Sequence, residues 1–287
     1  MLETVDLEKL EPYITGEISQ APECGIPELD RHFRWKPNFT IVGGAANTGK
    51  TIGFLRILYE WADTLGKKSL CFCNENTVTE LVLFLTEQKL GQWINQSSRT
   101  EIEQALAWVN EHFQFLPVNY NTTLRSALEL SWKVRVNLFP FDVFFLDPYN
   151  SVASQAKWHE HYYNCGVMRD YVKAGSEAGM PIKLCVSMHV YSAAQRERDK
   201  NGNIKTVHLT QLENGSLFFN RCDDGIVIHR ATQDEKRRYI TEIHVQKIKQ
   251  TRTGGECTPH NRPIEMEFRK KTGDFRWKSQ KELAAGF

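Results

Sequence analysis

The sequence predicts an α/β fold with a mostly parallel central sheet, helices on both of its faces and antiparallel strands toward the C-terminus. Three observations carry that expectation. Short β-rich apolar runs alternate with longer helical patterns from residue 39 to residue 187, and such alternation builds right-handed βαβ crossovers around a parallel sheet. A glycine-bounded loop, Gly44-Ala45-Ala46-Asn47-Thr48-Gly49-Lys50-Thr51, stands between the first of those strands and the first long helix. Beyond Gly225 the pattern changes to short strands separated by the turn signals Gly254-Gly255 and Gly273-Asp274, as antiparallel pairing requires.

The elements follow in order. Leu2, Val5, Leu7, Leu10 and Ile14 have a loose helical spacing interrupted by Pro12, which makes residues 1–20 a short amphipathic arm. Pro22, Gly25 and Pro27 mark a loop, and a short helix from Ile26 to Phe33 leads to the buried strand Phe39 to Val42. A helix is expected from Lys50 to Leu65 with Gly66 as its cap, then a strand from Ser69 to Cys73 and helices at 77–89 and 100–112. Strand 113–118, helix 124–137, strand 143–146, helix 158–178 and strand 182–187 complete the alternation. The antiparallel part comprises Ile226 to Ile228, Tyr239 to Val245, Pro263 to Phe268 and Phe275 to Trp277. Residues 21–287 therefore read as one domain, a size that supports a substantial core.

Composition excludes several classes. With 25% charged residues and no long apolar run, the chain has the profile of a globular protein without a membrane span, and its acidic start lacks the basic and apolar regions of a signal peptide. That pattern implies a cytoplasmic protein. The seven cysteines form no CxxC pair and no zinc spacing, so they read as buried thiols; Cys71 and Cys73 share one face of an apolar run as small hydrophobes. A net charge of +1 gives no polyelectrolyte signature, and any nucleic-acid contact must come from a local patch.

The loop at 44–51 matches G-x-x-x-x-G-K-S/T in the strand-to-helix context that gives this motif its meaning. Its glycines let backbone N–H groups wrap the phosphates of ATP or another nucleoside triphosphate. Lys50 reaches the β/γ-phosphates, and Thr51 holds Mg²⁺. Three further polar groups stand at strand ends, where open α/β sheets bind ligands. Asp147 closes the run Val143-Phe144-Phe145-Leu146 and is the natural Mg²⁺ partner, although Pro148 also allows a plain turn. Glu75, just past the strand ending at Cys73, can orient the attacking water, or simply favour the dipole of a helix capped by Thr77. His189, two residues past Ser187, can hydrogen-bond the γ-phosphate and report its presence.

Taken in order, these residues resemble the DnaB-like replicative helicases, a family that includes phage primase-helicases and Twinkle-like proteins and uses a RecA-like P-loop motor. The resemblance runs from Gly25 to about Trp277. It includes Gly25-Ile26-Pro27-Glu28-Leu29-Asp30 before the phosphate loop, Asn74-Glu75-Asn76-Thr77-Val78-Thr79-Glu80, Phe144-Phe145-Leu146-Asp147 and Val186-Ser187-Met188-His189. The segment Leu209 to Ser216, continuing to Asp223-Asp224-Gly225-Ile226, is similar to the helix and strand that follow the family's DNA-binding loop.

The resemblance implies a ring-forming ATP hydrolase, a hexamer that moves along single-stranded DNA and unwinds duplex, in a bacterial or phage-infected cell. Glu75 would be the catalytic carboxylate and His189 the sensor. Arg196, Arg198, Lys200 and Lys205, around the turn Asn201-Gly202, would grip strand phosphates, although Glu197 and Asp199 interleave with them and a solvated hairpin is an equal reading. Two departures stand out. The family's final Lys-x-Arg, whose arginine reaches the neighbouring subunit's ATP, is here Lys247-Ile248-Lys249, with Arg252 three residues on; a lysine lacks the planar fork of an arginine. No primase or collar domain is expected ahead of the motor, so a separate primase or loader would supply those parts. A recombination mediator that coats single strands without unwinding, and a loading factor with weak hydrolysis, are the competing readings.

Overall fold

The computed structural model describes residues 7–16, 21–117, 121–153, 156–200, 202–213 and 215–279. Its centre is a nine-stranded sheet in the order β3-β2-β4-β5-β1-β6-β7-β8-β9. The strands are β1 Phe39–Gly43, β2 Ser69–Cys73, β3 Phe113–Phe115, β4 Val143–Asp147, β5 Lys183–Met188, β6 Asp224–His229, β7 Ile240–Ile248, β8 Ile264–Arg269 and β9 Asp274–Trp277. Pairing is parallel from β3 through β6 and antiparallel from β6 through β9.

Two apolar cores, one on each face of the sheet, explain why the parallel strands are mostly apolar. On β4, Phe144 and Leu146 join one core with Leu128, Met168 and Phe218, while Val143 and Phe145 join the other with Phe54, Leu58 and Leu81. A strand buried on both faces cannot alternate apolar with polar residues. The first face carries α6 Leu124–Asn137, α8 Trp158–Glu177 and α10 Gly215–Arg221; the second carries α2 Pro27–His32, α3 Lys50–Leu65, α4 Val78–Leu90 and α5 Arg99–His112.

Helix ends follow their local chemistry. Thr77 with Glu80 and Ser98 with Glu101 form reciprocal capping boxes, and Gly66 and Gly91 end α3 and α4 in the left-handed conformation. The arm contains α1 Leu7–Ile14, with Leu7, Leu10 and Ile14 exposed at 68%, 45% and 62%. Leu2 and Val5 of that expected apolar face lie outside the described residues, as do Val118, Asn201 and Asn214. Two short helices fall outside the sequence expectation, α7 Tyr149–Val152 and α9 Ser192–Arg196. Among the described residues no helix is long and apolar enough to cross a membrane. Six of the seven cysteines are buried free thiols, and Cys257 is exposed.

Candidate functional site

The parallel strands bring the expected site residues to one sheet edge. Register pairs Gly43 with Met188 on one side and with Val227 on the other, and Cys73 with Asp147, so β1, β2, β4, β5 and β6 all end at the same level. The phosphate loop, Glu75, Asp147 and His189 therefore share the carboxyl edge. β5 lies between β1 and β4, which places the strand leading to His189 between the phosphate-loop strand and the Asp147 strand.

The loop at 44–51 has the conformation its sequence requires. Gly49 is left-handed at φ 78° where α3 begins, and Asn47, at φ 60°, adopts the one positive φ found outside glycine among the described residues. A side chain at Gly44 would come within 2.6 Å of the Ile228 carbonyl oxygen, so the loop hugs β6 in a way only glycine allows. The Thr48 hydroxyl donates to the carbonyl of Ala45 at 2.8 Å, which tightens the turn. Lys50 is nearly buried and its Nζ donates to the Met188 carbonyl at 3.3 Å; burial lowers its pKa, with the carboxylates of Asp147 and Glu75 opposing that shift.

Asp147 is fully buried and accepts from two hydroxyls, Thr51 Oγ1 at 2.5 Å on one carboxylate oxygen and Ser187 Oγ on the other. Such a cluster of hard oxygen donors suits Mg²⁺. Glu75 lies outside α4, whose cap is Thr77 and whose capping acid is Glu80, so the helix-opening role is already filled by another residue. Instead, Glu75 Oε1 meets His189 Nε2 at 2.9 Å. That contact joins the ends of β2 and β5 across the front of the site.

Arg230 is the residue that sequence reasoning missed. It follows the last residue of β6, and its guanidinium carbon stands 3.6 Å from where a Gly49 side chain would begin. Its Nε is buried without a hydrogen-bond partner among the described residues, and burial lowers its pKa. A half-buried guanidinium with an unsatisfied Nε beside a phosphate loop is poised for an anionic or π-rich ligand. The signal was available, because Arg230 stands just past the apolar run Ile226-Val227-Ile228 of β6, as Asp147 closes that of β4.

Arg196, Arg198, Lys200 and Lys205 are all exposed on the excursion that follows His189. Arg198 bridges Ile204 in an antiparallel pairing, and Lys205 stands 3.9 Å from Glu197, so the segment is a small hairpin of mixed charge. Lys249 and Arg252 are not brought to the edge that carries the phosphate loop. β7 runs antiparallel to β6 and pairs Ile248 with Asp224, so both residues lie at the opposite edge, on the order of 15–20 Å away at ~3.3 Å rise per residue. Lys249 Nζ is held by Asp223 at 2.9 Å, and Arg252 sits in the turn Thr251–Thr253, whose surroundings Lys36 fastens through the carbonyls of Gln250 and Gly254.

This fold and edge geometry are those of a RecA-type P-loop domain. Comparison with known proteins narrows the class. The chain is 22% identical over 242 residues to a Twinkle homolog protein, chloroplastic/mitochondrial, of Arabidopsis thaliana, a match that covers 78% of this chain and 33% of the relative. It thus spans about a third of the length of the curated relative it matches. It superposes on a solved structure described as an ATPase domain with a TM-score of 0.73 at 14% identity, over 96% of this chain and 100% of that one. A DnaB-like replicative helicase, solved with attention to its interactions with primase, gives a TM-score of 0.70 at 13% identity, over 94% of this chain and 66% of that one. No family model matches the chain. The motor-domain fold of the DnaB-like replicative helicases is the fold of this protein.

Proposed function

We propose that this domain is the ATP-driven motor of a ring-forming DNA helicase that moves along single-stranded DNA. The observation that carries this reading is the separation of two functional groups within one chain. The phosphate loop, Asp147, Glu75 and His189 occupy one sheet edge, while Lys249 and Arg252 occupy the other, out of reach of the same nucleotide. A cation that cannot serve its own site can serve a neighbour's, and a head-to-tail ring brings the two edges together.

Each group has a task in hydrolysis. Backbone N–H groups of 44–51 and the start of α3 would bind the phosphates, and Lys50 would withdraw from the Met188 carbonyl to meet the β/γ-phosphates. Thr51 and Asp147 would hold Mg²⁺, which supplies charge neutralisation at the phosphates when bound. Glu75 would orient the attacking water and accept its proton. The carboxylate oxygen now meeting His189 must be free for that, so a sensor that turns to a γ-phosphate also releases the base. The exposed cations at 196–205 would contact strand phosphates without reading sequence. A separate primase or loader remains part of the reading.

The helicase is favoured over the strand-coating mediator by the motor folds it shares and by the Twinkle homolog match over most of the chain. Hydrolysis measured with and without single-stranded DNA, together with particle imaging in ATP, tests the proposal. Stimulated hydrolysis by closed rings is expected. Filaments, or monomers indifferent to DNA, would refute it.

A further inference from the structure

The site edge and the hairpin at 196–205 meet at one side chain. His189 is the root of that excursion: its carbonyl accepts the Glu213 N–H at 2.9 Å, the Tyr191 N–H donates to the Gln211 carbonyl at 3.1 Å, and Val190 pairs antiparallel with Leu212. The chain therefore leaves and returns through a narrow two-railed stem. Asn150, on α7 just past Asp147, spans both rails. Its Oδ1 accepts the His189 N–H at 3.1 Å, and its Nδ2 donates to the Glu213 carboxylate. A carboxamide offers an acceptor and a donor on one planar group, so no carboxylate or hydrocarbon of similar size can make both contacts as they stand.

We infer that Asn150 is a positioning residue that couples events at the nucleotide site to the DNA hairpin, an inference that rests on the motor reading above. The amide links three things that must move together: the strand end bearing Asp147, the backbone of the sensor His189 and the returning rail at Glu213. Main-chain contacts pass any displacement of His189 toward a phosphate to the far rail, and the amide ties that motion at both rails to the strand end bearing Asp147, and hence links it to the segment bearing Arg196, Arg198, Lys200 and Lys205. Without it the rails stay zipped by their main-chain contacts, but the amide tie between the stem and the Asp147 strand is gone.

The test exchanges donor and acceptor. Asn150→Asp removes the donor and sets two carboxylates against each other, whereas Asn150→Asp combined with Glu213→Gln restores one donor and one acceptor with their roles swapped. Steady-state ATP hydrolysis by the full chain is measured with and without an unstructured DNA oligonucleotide. Because couplings between sites are typically about 5–150-fold, Asn150→Asp should reduce the stimulation factor at least about fivefold. KM for ATP should change by less than about twofold, since ground-state nucleotide contacts are untouched. The double variant should recover most of the stimulation. A double variant no better than Asn150→Asp, or basal and stimulated rates that fall by the same factor, would overturn the coupling role. A parent protein whose hydrolysis DNA leaves unchanged would overturn the motor reading, and the inference with it.

Discussion

Lys50 and Glu75 separate binding from turnover. Lys50→Ala leaves the phosphate charge facing an empty place in the loop, so nucleotide binding should be abolished; retained hydrolysis at the parental rate would refute the assignment of the loop. Glu75→Gln preserves shape and removes only the carboxylate. It should keep nucleotide affinity and lose about 10²–10⁴ in turnover, the usual worth of a general base, measured by equilibrium binding beside steady-state hydrolysis. Equal loss of both would give Glu75 a structural role. At this scale the sequence was informative for a physical reason. Parallel strands buried on both faces are mostly apolar, so the polar residues where such runs end mark the sheet edge: Asp147 closes β4, Glu75 lies just past β2 and His189 just past β5. Which of them touch was not legible, since the Glu75–His189 and Asn150–Glu213 contacts join elements far apart in sequence.

At the scale of elements, β7 and its following turn decide whether a cation acts between subunits. If Lys249 leaves Asp223 to reach a neighbour's γ-phosphate, Lys249→Ala should depress DNA-stimulated hydrolysis while nucleotide binding stays nearly intact, and Lys249→Arg should preserve or raise the rate. Arginine fingers are worth roughly 10³–10⁵ in rate, so even a lysine substitute should leave a clear drop when removed. A larger loss in Arg252→Ala would move the role to the turn at Thr251–Thr253. The arm makes a separate prediction. α1 exposes Leu7, Leu10 and Ile14, so deleting residues 1–20 should leave the domain folded and weaken assembly by the few kcal/mol that such side chains contribute when covered. Sedimentation in ATP checks it, and unchanged oligomers would mean that the arm packs on its own domain. Long helices and buried strands were legible because their periodicity spans many residues. α7 and α9, of four and five residues, are too short to show any, and they flank the stem that Asn150 bridges.

For the whole molecule, if Lys249 or Arg252 completes a neighbour's site, as proposed, mixed assemblies show it directly. Parental protein doped with Lys249→Ala or Arg252→Ala subunits should lose more activity than dilution explains, because a residue acting in trans disables its neighbour's site; a strictly linear loss would place catalysis within one chain. Rings and filaments share that property, so assembly alone does not identify a motor. The most direct measurement is strand separation on a forked duplex with ATP and Mg²⁺, followed by release of a labelled strand. The parent should release it in proportion to ATP hydrolysed, and Glu75→Gln should bind the fork and release nothing. DNA-stimulated hydrolysis with no strand released on any fork would contradict the helicase and leave the strand-coating mediator in its place.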